Sequence, residues 1–325
     1  MSLDLQSVLD QLNERRCARG GDARVATMTI VVFFEDRGVG ELARDRIRTL
    51  AAKHPSRVII LDSTQQEALH QVEADDWIEL GVENIGAETL RSVVGRLRLP
   101  EAPIVLLWIA CGIGHDERFA ALSEHAQTIV YNSSLLDIAD SALREFVEYV
   151  QCHPALPVAD IAYLRLAPWQ ESVATLFDRK DVVEELFDLR RIEIACGSDP
   201  EAFYLLGWLA SRLEWTPYSS STLHNRFGTQ IDFTIRREGE PRRVRRVALS
   251  TPRSSFVAQA DENGEMIALS ATGAAKNSQR YRPINNPGIA ALVERAILWG
   301  QNDRAFHDSL AAAGEILAHA RAAGS

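Results

Sequence analysis

The chain has 325 residues, 46% hydrophobic and 25% charged, with 35 Lys and Arg against 45 Asp and Glu for a net charge of −10. That composition is globular, and the length allows two domains with sizeable cores. The acidic balance excludes a general affinity for nucleic acid or anionic lipid, because phosphate contacts need clustered Lys and Arg.

Residues 3–19 carry Leu3, Leu5, Val8, Leu9 and Leu12 at helical spacing, which predicts an amphipathic helix ended by Gly20-Gly21. The run ATMTIVVFF (26–34) reads as a buried strand from its β-branched and aromatic content. A helix over 40–54, strands over 57–62 and 75–83, and a helix over 87–99 follow. Strands over 103–110 and 127–132 and a helix over 134–151 complete this half. Strands alternating with helices imply βαβ units and a mostly parallel sheet. The expectation is a Rossmann-like α/β domain over 1–159 with the N-terminal helix attached.

The second half has another pattern. Residues 160–177 begin apolar and become a helix at Pro168, and 190–197 read as a strand. Residues 199–215 predict a buried helix with Asp199 as N-cap and Pro200 at the first helical position. Four strands over 229–237, 242–251, 255–260 and 265–270, joined by turns such as EGEP and DENG, predict an antiparallel meander. Two helices, 288–300 and 303–322, close the chain. The expectation is an α+β domain over 160–325. The first thirty residues mix charges with single apolar positions, and PIVLLWIACGIG (103–114) is too short to cross a bilayer. A soluble cytoplasmic protein with no membrane partner is expected.

TIVVFFEDRGVGELARD (29–45) contains a G-x-G-x-x-A spacing from Gly38 to Ala43, and Asp62 closes the next strand. This is the outline of a dinucleotide site, in which a glycine turn delivers a helix N-terminus to a pyrophosphate. Here Glu35, Asp36 and Arg37 intervene between strand and glycine, and two carboxylates oppose a diphosphate. The segment therefore reads as a glycine-containing turn into a helix, and no cofactor is assigned. The alternative is a nucleotide- or sugar-phosphate-binding enzyme or sensor built on the Gly38–Ala43 turn.

Other groups are fewer. His54 and Arg57 in HPSR (54–57) suit a phosphate or a partner's carboxylate, or simply a helix end and turn. Cys111, His115 and Asp116, with Cys152-His153, lack the paired spacing of a metal site, and none is assigned. None of the four cysteines forms C-x-x-C, so they read as reduced small side chains. No nucleophile elbow, phosphate loop or zinc-protease motif occurs, and no catalytic residue is named. EPRRVRRVALS (240–250) is the densest basic cluster; as a strand it sends Arg243 and Arg245 to one face and Arg242 and Arg246 to the other. It reads as an anion or acidic-partner contact or as a charged edge strand. Arg165 and Trp169 near a helix start are of the types found at interface hot spots, or the indole fills the core.

Four segments, TMTIVVF (27–33), HPSRVI (54–59), LPVADIAYLRLAPWQE (156–171) and AFYLLGWLASRLEW (202–215), resemble signature stretches of the glucose-6-phosphate dehydrogenase assembly protein family, OpcA. The resemblance runs in order through both domains. It implies a bacterial protein that is not an enzyme, binds glucose-6-phosphate dehydrogenase, favours its active oligomer and raises its apparent affinity for substrate. In cyanobacteria the family's activation is linked to redox state through thioredoxin, but no motif maps that control onto Cys17, Cys111, Cys152 or Cys196. On this resemblance, the candidate partner-binding residues are Arg165, Trp169, His54, Arg57, Arg243 and Arg245.

Overall fold

The computed structural model describes residues 5–18, 26–73, 76–111, 113, 115–135, 139–180, 182–273, 277–285, 287–299 and 303–322. The chain forms two compact units, one of Met1–Leu136, Glu148–Ile161 and Gly288–Asn302, the other of Asp137–Val147, Ala162–Pro287 and Asp303–Ser325.

In the first unit, α1 (Leu5–Ala18) precedes β1 (Met28–Phe34), α2 (Arg37–Lys53), β2 (Ser56–Asp62), β3 (Ala68–Glu73) and β4 (Trp77–Gly81). Then come α3 (Ala87–Leu97), β5 (Ile104–Ile109), α4 (Glu117–Ser123), β6 (Thr128–Tyr131), the end of α5 (Ala139–Cys152), β7 (Val158–Asp160) and, after the second unit, α9 (Ile289–Trp299). The seven strands lie in the order β3-β4-β2-β1-β5-β6-β7. β1 pairs in parallel with β2 (Met28↔Ser56 to Phe34↔Asp62) and with β5 (Thr29↔Ile104 to Phe34↔Ile109). Only β3 runs against its neighbour. Every residue of β2 is buried, as both faces of a parallel sheet must be. α3 turns Leu90, Val93, Val94 and Leu97 inward at helical spacing. Phe33 stacks on Trp108 with centroids 4.4 Å apart, and Phe119 meets Trp108 edge-on at 5.1 Å.

The second unit holds the start of α5, α6 (Ile161–Leu164), α7 (Ala167–Thr175), β8 (Arg191–Cys196), α8 (Asp199–Leu213), β9 (Thr216–Ser219) and β10 (Thr222–His224). It continues with β11 (Gln230–Arg237), β12 (Val244–Ser250), β13 (Ser254–Ala260), β14 (Met266–Gly273), β15 (Ser278–Pro283) and α10 (Arg304–Ala322). Its eight-stranded sheet runs β15-β14-β13-β12-β8-β11-β10-β9. The expected meander is corrected here. β12 to β15 form one, but β8 lies between β11 and β12, parallel to the first and antiparallel to the second. A parallel pair needs a long crossover, and α8 with β9 and β10 supplies it. EGEP is thus a bridge over the end of β8, tied down by Glu238 N donating to Cys196 O (3.0 Å) and Gly197 N to Arg243 O (2.9 Å). A Cβ on Gly197 would overlap the Glu240 carbonyl, so this crossing requires glycine.

Candidate functional site

The strand order of the first sheet reverses direction at β1, between β2 and β5, and ligands of open α/β sheets bind beyond the carboxyl ends of strands at such a point. Asp36 is the N-cap of α2, and its Oδ1 accepts from Val39 N at 2.8 Å. The chain's own carboxylate therefore sits on the helix N-terminus that a diphosphate would need. Gly40 is buried against Phe34, whose ring a Cβ would overlap, whereas Gly38 meets only Asp36 Oδ1 at 3.4 Å. The second glycine of the spacing thus serves helix–strand packing.

The rest of this rim is also filled from within. Beyond β5, Asp116 caps α4 and accepts from Arg118 N (2.7 Å) and Nε (3.1 Å). Arg118 also reaches Glu35 at 2.5 Å and lies over the Phe33 ring. Asp62 accepts from Arg44 Nη2 (2.7 Å), Thr64 N (2.9 Å), Thr64 Oγ1 (2.6 Å) and Gln65 Nε2 (2.9 Å). Burial pulls the Asp62 carboxyl upward, but the Thr64 and Arg44 hydrogen bonds outweigh it and hold it below its usual range. Asp116 is lowered in the same way, burial being overcome by Arg118.

A folded-state pKa below the unfolded one gives stability that is present above about pH 4 and lost as pH falls through the depressed value. Hydrogen-exchange protection factors in β1 and β5 should therefore fall on acidification below about pH 4. The double substitution Asp62→Asn, Asp116→Asn should flatten that dependence. An unchanged acid profile in the double variant would show that other groups control it.

The HPSR residues diverge. Arg57 is 6% exposed, with Nη2 3.0 Å from Asp76 Oδ1 and Nη1 donating to Leu97 O at 2.8 Å. Its guanidinium, expected as a candidate partner contact, is a buried strut between β2, the β3–β4 turn and α3. His54 Nε2 lies 2.7 Å from Glu294 Oε1 on α9, where it and Lys53 hold the Glu294 carboxyl below its usual range. Trp169, expected either at an interface or in the core, is buried on α7. Arg165 Nη1 lies 2.5 Å from Glu201 Oε1, and Glu201 is fully buried in the first turn of α8. The expected N-cap moves by one residue: Ser198 is the cap, and Asp199, already helical, ion-pairs with Arg237 on β11.

Two family models match this chain. One, described as the glucose-6-phosphate dehydrogenase subunit N-terminal domain, covers residues 47–148; the other, described as the C-terminal domain of the same subunit, covers 156–310. The chain belongs to the glucose-6-phosphate dehydrogenase assembly protein family, OpcA. Relatives named as the OxPP cycle protein OpcA are 32% identical over 193 residues in Synechocystis sp. and 30% over 147 residues in Nostoc punctiforme. These alignments cover 53% and 44% of this chain, and 40% and 31% of the relatives' lengths. The chain thus spans less than half of those OpcA proteins.

Solved structures resemble it in fold. An aldose-aldose oxidoreductase from Caulobacter crescentus has a TM-score of 0.52 at 12% identity, covering 91% of this chain and 98% of its own. KijD10, a 3-ketoreductase from Actinomadura kijaniata solved with NADP, has 0.51 at 12% identity, covering 89% and 95%.

In this OpcA-family chain the basic segment departs from a simple alternation. Arg242 has φ +64°, and its N–H is held by Ser198 Oγ. A bulge between Val244 and Arg246 then shifts Arg245 out of register. Arg243 and Arg245 therefore do not share the face of one flat strand. Arg243 is exposed, with Nε 3.1 Å from Glu240 Oε2 and Nη1 over Gly264 in the DENG turn; Arg245 packs on Gly239. Sequence reasoning did not identify Glu201 or Asp76 as the partners of Arg165 and Arg57. Asp199 and Glu201 at a helix start were the available signal for the first.

Among the described residues, no group of three or more His, Cys, Asp or Glu is arranged to hold a metal, and no helix is long and apolar enough to cross a membrane. The Cys17 side chain lies outside the described residues. Cys111 and Cys152 are exposed and Cys196 is buried, none of the three in a disulfide. Burial, helped by the Glu201 carboxylate, pushes the Cys196 thiol up to about 12. Thiol titration of the native protein at pH 8 should label Cys111 and Cys152 and leave Cys196 unreacted until denaturant is added. Labelling of native Cys196 at the same rate would contradict its placement.

Proposed function

We propose that this chain is a non-catalytic partner of glucose-6-phosphate dehydrogenase in the cytoplasm, binding the enzyme and holding it in its active oligomeric state. The observation that carries this reading is the match of both halves to models of that dehydrogenase's subunit. The first-unit rim supports it, because Asp36 is taken by Val39 N, Asp62 by Arg44, and Arg118 by Asp116 and Glu35, where a dinucleotide's phosphates and ribose would be held. No residue need touch a substrate. A protein that binds only the competent oligomer stabilises it by mass action. If that state is a minority, preferential binding lowers the apparent substrate constant. By reciprocity, glucose 6-phosphate tightens the complex, and a coupling of about 1–3 kcal/mol gives a five- to hundredfold effect.

The test is to mix the chain with its own organism's dehydrogenase and to measure activity and particle mass together. A mixed particle with a lowered KM, and no turnover by the chain alone, is expected. Unchanged kinetics across a concentration series, with no mixed particle, overturns the reading. Arg243 and Arg245 are proposed as contributors to the contact; charge reversal at both should weaken association and its salt dependence.

A second reading has a specific observation behind it, the likeness to oxidoreductases such as KijD10, solved with NADP. It makes the chain a nucleotide- or sugar-phosphate-binding enzyme or sensor built on the Gly38–Ala43 turn. Thermal shifts with NADP, NAD, ATP and glucose 6-phosphate at millimolar ligand separate the two. No shift with any of them leaves the partner reading standing.

A further inference from the structure

The connection from β10 to β11 is a built loop with an apolar tip. Asn225 is buried, and its Oδ1 accepts from Phe227 N and Thr229 N, both at 2.9 Å. Asn225 N donates to Thr229 O at 3.0 Å, Gly228 N donates to Asn225 O at 2.9 Å, and Gly228 has φ +76°. Asn225 Nδ2 also donates to Phe187 O at 3.4 Å, tying the loop to the 3-10 turn Val183–Asp188. An asparagine turn of this kind fixes the backbone before anything binds. What it presents is Phe227, 68% exposed, beside Phe187, 47% exposed, with Val183 also exposed on the same 3-10 turn. The Arg226 guanidinium lies over both rings, 4.9 Å from Phe227 and 5.4 Å from Phe187. Its carboxylate neighbour, Glu214 at 3.6 Å, forms a surface pair exposed on both sides.

A fixed backbone holding two aromatic rings and an arginine out to water is the composition of an interface hot spot. We infer that this loop is where the dehydrogenase docks, Phe227 entering an apolar pocket and Arg226 meeting a carboxylate at its rim; the inference rests on the partnership proposed above. Charge decides the occupant. Two copies of this chain facing each other across a two-fold axis here would set Arg226 against Arg226, and each copy brings a net charge of −10. A different chain with an acidic rim answers the arginine, which the two rings already hold in place. The exposed Glu214 pair is weak enough to be exchanged for that carboxylate at little cost.

The experiment compares binding of the cognate dehydrogenase by the wild type, Phe227→Ala, Arg226→Glu and the control Tyr281→Ala, in full-length chains of verified thermal midpoint. Tyr281 is an exposed aromatic on β15, at the far edge of the same sheet. The wild type and Tyr281→Ala should bind alike. Phe227→Ala should weaken binding by about thirtyfold, as removal of a hot-spot aromatic does. Arg226→Glu should weaken it at least tenfold, mainly at low salt. If the wild type binds and all variants bind equally, the loop assignment is overturned while the partnership survives. If the wild type does not bind, the partnership fails and the assignment with it. Self-association of the wild type that disappears in Phe227→Ala would overturn the dehydrogenase as occupant in favour of a second copy.

Discussion

Gly207→Ala is expected to destabilise the second unit by about 1–3 kcal/mol, against the usual direction for a glycine inside a helix. Alanine ordinarily gains up to about 1 kcal/mol there, by removing backbone freedom from the unfolded chain. At Gly207 the added Cβ would overlap the Ser309 carbonyl oxygen and press on Ala313 N at 2.8 Å, both on α10. These are backbone atoms and cannot rotate away, so α8 and α10 would have to separate along their shared face. A valine should cost more, because its second branch enters the same space. Gly38→Ala is the internal control. It lies in the first turn of α2 with nothing nearer than 3.4 Å, and should be neutral or stabilising by about 0.5 kcal/mol. Urea midpoints followed by far-UV circular dichroism measure both. A stabilised Gly207→Ala would mean that the helices are not in close contact at this glycine. Gly207 falls within AFYLLGWLASRLEW, one of the segments that carry the family resemblance. The expectation therefore explains that stretch by helix packing and leaves the surface contacts to other residues.

Elements that bury both faces or one full stripe were legible in the sequence. β1, β2 and β5 are runs of β-branched and aromatic residues, and α2, α3, α8 and α10 repeat their apolar positions at helical spacing. The strands that went unread are short or lie at edges. β3 (ALHQVE), β9 (TPYS, with Pro217) and β15 (SQRYRP) each pair on one side only, so they need little apolar content and can carry proline. The position of β8 between β11 and β12 was not readable, because order within a sheet depends on partners far apart in the chain. The glycine spacing, expected as a turn before a helix beginning at residue 40, lies inside α2, which starts at Arg37 because Asp36 caps it.

The candidate site was less legible, for a related reason. Whether an arginine is surface or strut depends on an acid that sequence distance does not reveal. Arg57 meets Asp76 nineteen residues on, and Arg165 meets Glu201 thirty-six residues on. The exposed Phe227 had a local signal, because an aromatic in the turn NRFGT has no periodic partner to bury it.

Breaking the Arg165–Glu201 pair should give a large effect on stability. Glu201 is fully buried and the Arg165 side chain is 17% exposed, and removing Arg165 costs about 3 kcal/mol or more because the Glu201 charge is left in a low dielectric. Arg242 makes the two deletions unequal. Burial, then the Arg165 charge, lowers its guanidinium, while the Glu201 charge acts in the opposite sense, so both arginines feel the field of that carboxylate. In Arg165→Met, Arg242 still faces Glu201 and part of the loss is recovered. In Glu201→Gln, two like charges face each other across a neutral amide, and the loss should be the larger of the two. The double variant Arg165→Met, Glu201→Leu should recover most of the stability, since apolar replacement of a whole buried pair is often close to neutral. Denaturant titrations of the wild type, Arg165→Met, Glu201→Leu and the double variant complete the cycle, and additive losses would mean that the two side chains do not interact. Dehydrogenase binding by the double variant then tests the contact role first read into Arg165: if the stable double variant still binds at full strength, Arg165 acts by anchoring α8, and if binding is lost at full stability, its guanidinium touches the partner.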